Sequence, residues 1–278
     1  MEGKNIKYVL IMGLAFIFYA AFLIFYEMNA RSNRSPVLTV PEELLLIEAD
    51  SGDDILLKDV TAEDPEDGDL TDQIFIEYLT PFDENMERTI SYAVADGQNV
   101  ISRGYRRVRY SDYKKPEFYL TGPLVKVYDD DKDNPEHVVG ATSSIDGDIS
   151  NRISFALYDE EDNEDVRMEC SVTDSGGVES HISLPVTMLN NRPNIEIRLS
   201  EYLIRVPLRT SIDPKSYLLY MKENGIRKTN DYGSIVVQTN YNPYQEGIYE
   251  FVYEVIRANG SFGLTKLVVV VEKAVEYD

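Results

Sequence analysis

The stretch from Thr89 to Gln98, TISYAVADGQ, alternates Ile90, Tyr92 and Val94 with smaller residues and then breaks at Asp96-Gly97. A period of two that ends in a turn dipeptide reads as a buried strand running into a hairpin. The same pattern returns as MECSVTDSGG from Met168 and FVYEVIRANG from Phe251, so Tyr92, Cys170 and Tyr253 recur at intervals of 78 and 83. After each turn comes one further strand, ISRGYRRVRY, ESHISLPVTM or GLTKLVVVVE.

Working outward, each repeat also opens alike. SPVLTV, KPEFYL and RPNIEI start just after Pro36, Pro116 and Pro193, 80 and 77 positions apart. Proline at the first residue of a strand sacrifices no ladder hydrogen bond, so it suits such an opening. Three units of short strands, with helical periodicity only at a candidate turn in SYLLYMKEN (216–224), predict antiparallel sandwiches over 36–112, 113–190 and 191–273.

Ahead of the repeats, Tyr8 to Tyr26 reads YVLIMGLAFIFYAAFLIFY, nineteen residues without a charge. A helix of that length matches a hydrocarbon core of about 30 Å, with tyrosines near its ends as interfacial anchors. The run is longer than the apolar core of a cleaved leader and lacks a small-x-small cleavage site, which favours an uncleaved signal anchor. Residues 1–7 are then a short cytoplasmic tail and 27–35 a short flexible stalk. Lys4 and Lys7 on one side are balanced by Arg31 and Arg34 on the other, so charge does not set the orientation.

With 49 acidic residues against 27 Lys and Arg, the net charge is -22, which excludes nucleic acid as a partner because phosphate binding needs a basic surface. The lone Cys170 allows no internal disulfide, and it shares the parity of Met168 and Val172, as a buried apolar residue would. His137 and His181 have no nearby thiol or nucleophile elbow, and tryptophan, the usual sugar-stacking platform, is absent. These features predict no enzymatic activity.

The order of these elements resembles the bacterial immunoglobulin-like repeats found in cell-surface proteins and in some insecticidal crystal toxins. The first unit carries it through VTAEDPEDGDLTDQI (Val60–Ile74) and SYAVADGQ, the second through VGATSSIDGDISNRI (Val139–Ile153) and CSVTDSGG. The third departs furthest, with SIDPKSYL, DYGSIVV and NYNPYQEGIYEFVYEV, where Gly247 and Tyr249 fit the family's G-x-Y strand opening. The resemblance covers about 36–273. It implies an all-β fold of three tandem immunoglobulin-like antiparallel β-sandwiches, preceded here by one transmembrane α-helix and facing outward from the cell.

The Asp-Gly-Asp motif has two readings. Cadherin-like sandwiches place such loops at domain junctions, and that likeness implies calcium at Asp64, Asp67 and Asp69. The other reading is turn chemistry, in which Asp oxygens accept backbone amides and Gly supplies a positive φ. YDDDKDNPEHVVG (Tyr128–Gly140) has acids at alternating positions but Gly140 where an EF-hand needs its closing Glu.

Two clusters are candidates for partner contact. Arg103, Arg106, Arg107 and Arg109 are concentrated in RGYRRVRY, where alternation puts Tyr105, Arg107 and Arg109 on one face and Arg106, Val108 and Tyr110 on the other. Tyr241 and Tyr244 lie in the aromatic stretch of the third unit. The whole reads as a non-enzymatic adhesion, interaction or spacer protein of the bacterial cell membrane, with its C-terminal domains extracellular and an unknown protein or cell-wall polymer as partner. The alternatives are an accessory subunit of an envelope complex, contacting its partners through the helix, and a calcium-dependent binding protein.

Overall fold

Alternation places apolar side chains on one face of a strand, and burying that face takes a second sheet. The computed structural model describes residues 2–128, 134–158, 166–228 and 232–273, and within the first helix the side chains of 11–27. It divides into two compact units, Met1–Ser111 and Asp112–Asp278.

The first unit holds helix α1 (Glu2–Ser32) and strands β1 (Val37–Thr39), β2 (Leu45–Ile47), β3 (Thr61–Asp64), β4 (Gly68–Asp69), β5 (Phe75–Leu79), β6 (Arg88–Ala95) and β7 (Ile101–Tyr110). Three strands form one sheet in the order β1-β3-β4, and four form the other in the order β2-β7-β6-β5. Ile90, Tyr92 and Val94 of β6 are fully buried, and Ala62, Leu70 and Val108 pack in the same cluster.

The second unit repeats this plan twice. Its first sandwich has β8 (Glu117–Leu120), β9 (Val125–Val127), β10 (Val139–Ser143), β11 (Gly147–Asp148), β12 (Ser154–Tyr158), β13 (Val166–Thr173) and β14 (Glu179–Leu189), in sheets β11-β10-β8 and β12-β13-β14-β9. Its second has β15 (Ile195–Leu199), β16 (Leu203–Pro207), β17 (Leu218–Glu223), β18 (Ile226–Lys228), β19 (Val236–Thr239), β20 (Gly247–Ile256) and β21 (Phe262–Glu272), in sheets β15-β17-β18 and β16-β21-β20-β19. Where the sequence predicts a break after residue 190, one hydrophobic cluster draws on both sandwiches, from Phe118 to Val271.

Three expectations change. The sandwiches are not purely antiparallel, because β2 pairs in parallel with β7, β9 with β14 and β16 with β21. The chain leaves one sheet after its first strand and joins the far edge of the other. Pro41 and Pro123 lie in two of these crossings, where the lack of an N–H ends the first ladder. SYLLYMKEN is not a helical turn. A short 3-10 turn at Pro214–Tyr217 gives way to β17, which buries Leu218 and Met221 and closes a hairpin through Asn224 and Gly225 at φ 51° and 78°. Residues 27–35 are not a free stalk, since α1 continues to Ser32 and Asn33 is tied to Asp96 at 2.7 Å. Finally, the acidic run of YDDDKDNPEHVVG lies largely outside the described residues.

The side chains described in α1 are almost all exposed, among them Phe16, Phe18, Phe22 and Phe25. Among the described residues no helix is long and apolar enough to cross a membrane. The described side chains begin at Ile11, inside the apolar run that opens at Tyr8.

Candidate functional site

The Asp-Gly-Asp loops join β3 to β4 and β10 to β11. In the first, Asp64 is buried, and its Oδ1 accepts the amides of Glu66 and Asp67, each at 2.8 Å. Asp67 Oδ2 accepts the Gly97 amide at 2.7 Å, tying this loop to the hairpin after β6. Asp69 Oδ1 accepts the Thr71 amide at 2.9 Å, and Gly68 supplies φ 80°. The bonds to Thr71 hold the Asp69 carboxyl below the usual aspartate range.

The second loop keeps the shape and changes the charges. Ser143 Oγ replaces the Asp64 carboxylate, accepting the amides of Ile145 and Asp146 at 3.2 and 3.3 Å. Asp146 Oδ2 accepts the Ser175 amide at 2.6 Å and the Arg152 guanidinium at 2.7 Å. Asp148 accepts from both the amide and the hydroxyl of Ser150, which lowers its pKa. Turn chemistry therefore accounts for Asp67, Asp69 and their counterparts and for one oxygen of Asp64. Among the described residues no group of three or more His, Cys, Asp and Glu side chains gathers as a metal-binding set.

Alternation in β7 is as the sequence predicts, with Arg106 and Val108 inward and Tyr105, Arg107 and Arg109 outward. Arg106 is buried and donates to the carbonyls of Glu43 and Lys58, both at 3.1 Å, so it offers nothing to an external partner. Arg103 pairs with Glu77 at 2.8 Å, and Arg107 and Arg109 both reach the buried Glu87. The arginines thus neutralise the outer face of their own sheet. Tyr241 is likewise engaged: its ring packs on Tyr249 and Phe251, and its hydroxyl donates to the Thr210 carbonyl at 2.7 Å. Tyr244, 78% exposed, is the candidate that does face solvent. Cys170 is buried, and burial pushes its thiol up to about 12, which leaves it inert as a nucleophile.

A groove of about 700 Å³ in the second unit was not foreseen. Pro123, Val125 and His137 line it from one sandwich, and Arg198, Tyr202 and Lys222 from the other. Arg198 lies 5.4 Å from the centre of the Tyr202 ring, a cation–π contact that leaves the edge of the guanidinium free to donate. Nearby, Arg227 stacks on Tyr220 at 4.2 Å, while the Tyr220 hydroxyl donates to Glu196 at 3.0 Å. A polar face with cations held on aromatic rings suits binding of an extended polar or anionic ligand. The signal in sequence was the outward parity of Glu196 and Arg198, which carries no hint of the partner strand.

No family model matches the chain, and no curated protein matches it. Among solved structures it is similar to the M60 catalytic domain with two CBM51 domains of ZmpB from Clostridium perfringens, at 12% identity, covering 87% of this chain and 31% of that one, with a TM-score of 0.23. It is also similar to the protocadherin gammaB4 extracellular domain, at 10% identity over 87% and 49% of the two chains with a TM-score of 0.21. The third is Drosophila N-cadherin EC1-4, at 14% identity over 87% and 76% with a TM-score of 0.21. The chain spans about a third of the length of the first of these.

Proposed function

We propose that the chain is a non-enzymatic surface module, anchored by α1 in the cytoplasmic membrane of a bacterium, which meets a protein or cell-wall partner through its last two sandwiches. The observation that carries this reading is the exposed apolar surface of α1. Side chains such as Phe16, Phe18 and Phe25 lie open to their surroundings, although the first sandwich buries a core of its own and the other two share one. Apolar surface of that extent needs lipid or a partner helix to cover it. The groove between β9 and β15 supplies the contact face, since Arg198 and Lys222 present cations on an otherwise acidic chain.

Protease treatment of intact cells, followed by extraction of membranes at alkaline pH, tests the reading. The expected result is a chain that stays in the membrane pellet and whose sandwiches are digested from outside. A chain released by the alkaline wash, or protected in intact cells, overturns it. Replacing residues 8–26 with an unrelated membrane span separates a surface module, which keeps its function, from an accessory subunit, which loses its complex.

A further inference from the structure

The groove of about 700 Å³ is bordered by Ile195 and Ile197, whose side chains are buried in the core, so both reach it through their main chain. It therefore runs along the backbone of β15, an edge strand whose one sheet neighbour is β17. The side of β15 that faces away from β17 is covered at its two ends. At one end the Ile195 carbonyl closes on Gly263 of β21, and at the other the Leu199 amide meets the Tyr202 hydroxyl at 3.4 Å. Alternation along the strand turns the amide and carbonyl of Ile197, midway between them, to that same side. Among the described residues no strand pairs with them there, and an unpaired ladder edge is a template for another chain.

The two walls of the groove differ in chemistry. Pro123 and Val125 of the second sandwich present apolar surface, while Arg198 and Lys222 of the third present charge. Beyond the groove Lys222 stands directly opposite Arg227 on β18, a like-charged pair that costs stability. Among the described residues none of these three cations forms an ion pair, although Lys228, next to Arg227 in the chain, is matched to Glu223. Arg198 and Arg227 are instead braced on the rings of Tyr202 and Tyr220. Bracing on a ring fixes a guanidinium without neutralising it, which lowers the ordering cost of binding an anion.

We propose that an extended acidic peptide of a partner protein adds to the free edge of β15 in this groove, pairing its backbone with Ile197. The inference rests on the groove being the contact face, and it supplies the class of partner. An added strand points alternate side chains to opposite faces. One set lies beside Ile195 and Ile197, against the wall of Pro123 and Val125, and is apolar. The other set lies beside Arg198, within reach of Lys222, and carries the acid. Glu196, two residues away on the same face, repels a second acid there, so a single carboxylate at Arg198 fixes the register. A phosphate polymer offers Ile197 no amide and has no apolar side of period two, so the same observations disfavour it.

The test uses the full chain in detergent and a short fluorescein-labelled peptide that alternates Val with Thr and carries a single Glu in place of one central Thr. Anisotropy is expected to report binding that weakens about tenfold when the Glu becomes Gln, or when the chain carries Arg198→Gln. Arg198 is exposed, so that variant is expected to keep the parent's melting temperature. Two further peptides are N-methylated, one at the Val amides and one at the Thr and Glu amides. One set of amides faces β15, so one of these peptides is expected to bind like its parent and the other to lose binding. A parent peptide that does not bind, N-methylated forms that behave alike, or a Gln form that binds as well as the Glu form overturns the proposal. So does polyphosphate that binds as tightly as the peptide, which marks plain anion capture. Each of these results leaves membrane anchorage and outward exposure, tested in cells, standing, so the failure of this proposal is distinct from failure of the wider reading.

Discussion

The hydroxyl of Tyr92 donates to the Leu56 carbonyl at 2.7 Å, pinning the middle of β6 to a short helical turn 36 positions earlier in the chain. Tyr253 makes the same bond to Pro214 at 2.7 Å in the third sandwich, while the second has Cys170 in that place. Tyr92 and Leu56 are both buried, whereas Pro214 is partly exposed and water can replace a lost donor there. Tyr92→Phe is therefore expected to cost about 1–3 kcal/mol, and Tyr253→Phe only about 0.5–1.5 kcal/mol. Urea unfolding of the two variants checks the order, and an equal loss would show that the carbonyl at Leu56 finds another donor.

Gly263 lies in the interior of β21, where an added Cβ would stand 2.5 Å from the Ile195 carbonyl oxygen. That oxygen belongs to the backbone of β15 and has no rotamer by which to yield. At Gly104 in β7 the crowding atoms are the side-chain carbons of Val40 and Leu38, which can turn aside. Gly263→Ala is expected to cost about 1–3 kcal/mol, with Gly104→Ala below it. Thermal unfolding of both variants settles the comparison.

Asp146 carries the clearest acid dependence. Burial pushes its pKa up, but the bonds from Ser175 and the Arg152 guanidinium outweigh burial and hold it below the ordinary value of 3.8. A carboxyl whose folded pKa is depressed stabilises the fold fully above its unfolded value, and that stability is lost as pH falls through the folded one. The loss is thus confined to the region below about pH 4. Arg152→Gln removes one of the lowering contacts, so acid unfolding of the variant is expected to begin at a higher pH than that of the parent. A coincident pair of acid-unfolding curves would show that Ser175 alone holds the carboxylate.

The repeat of β6, β13 and β20 was legible because a buried strand writes its period of two directly into the chain, as Met168, Cys170 and Val172 show. The inward turn of Arg106 was legible for the same reason. Its partners were not, because the carbonyls of Glu43 and Lys58 come from backbone whose position depends on the closed sandwich. The parallel pairing of Leu45 with Val108 also left no local trace, since three-residue strands are too short to show a face. In SYLLYMKEN the apolar pair Leu218 and Met221 mimicked helical spacing, and the register shift between Arg198 and Leu199 let both point inward from a strand. The groove at Arg198 and Lys222 was invisible because it forms only where two repeats meet.

Arg106 and Arg103 lie in one strand, three residues apart, and should respond to mutation very differently. Arg103 is half exposed, and its bridge to Glu77 spans a solvated sheet face, so Arg103→Ala is expected to lower stability only slightly. Arg106 is buried, with both of its carbonyl partners reached through the core side of the sheet. Truncating it strips two charge-assisted bonds and leaves the carbonyls of Glu43 and Lys58 unmatched, so Arg106→Met is expected to cost about 3 kcal/mol or more. Salt offers a second check: raising ionic strength should erase the Arg103 effect and leave the Arg106 effect nearly unchanged, because screening reaches solvated pairs and not buried ones. Equal costs for the two substitutions in unfolding measurements would refute the assignment of Arg106 to the framework of the first sandwich.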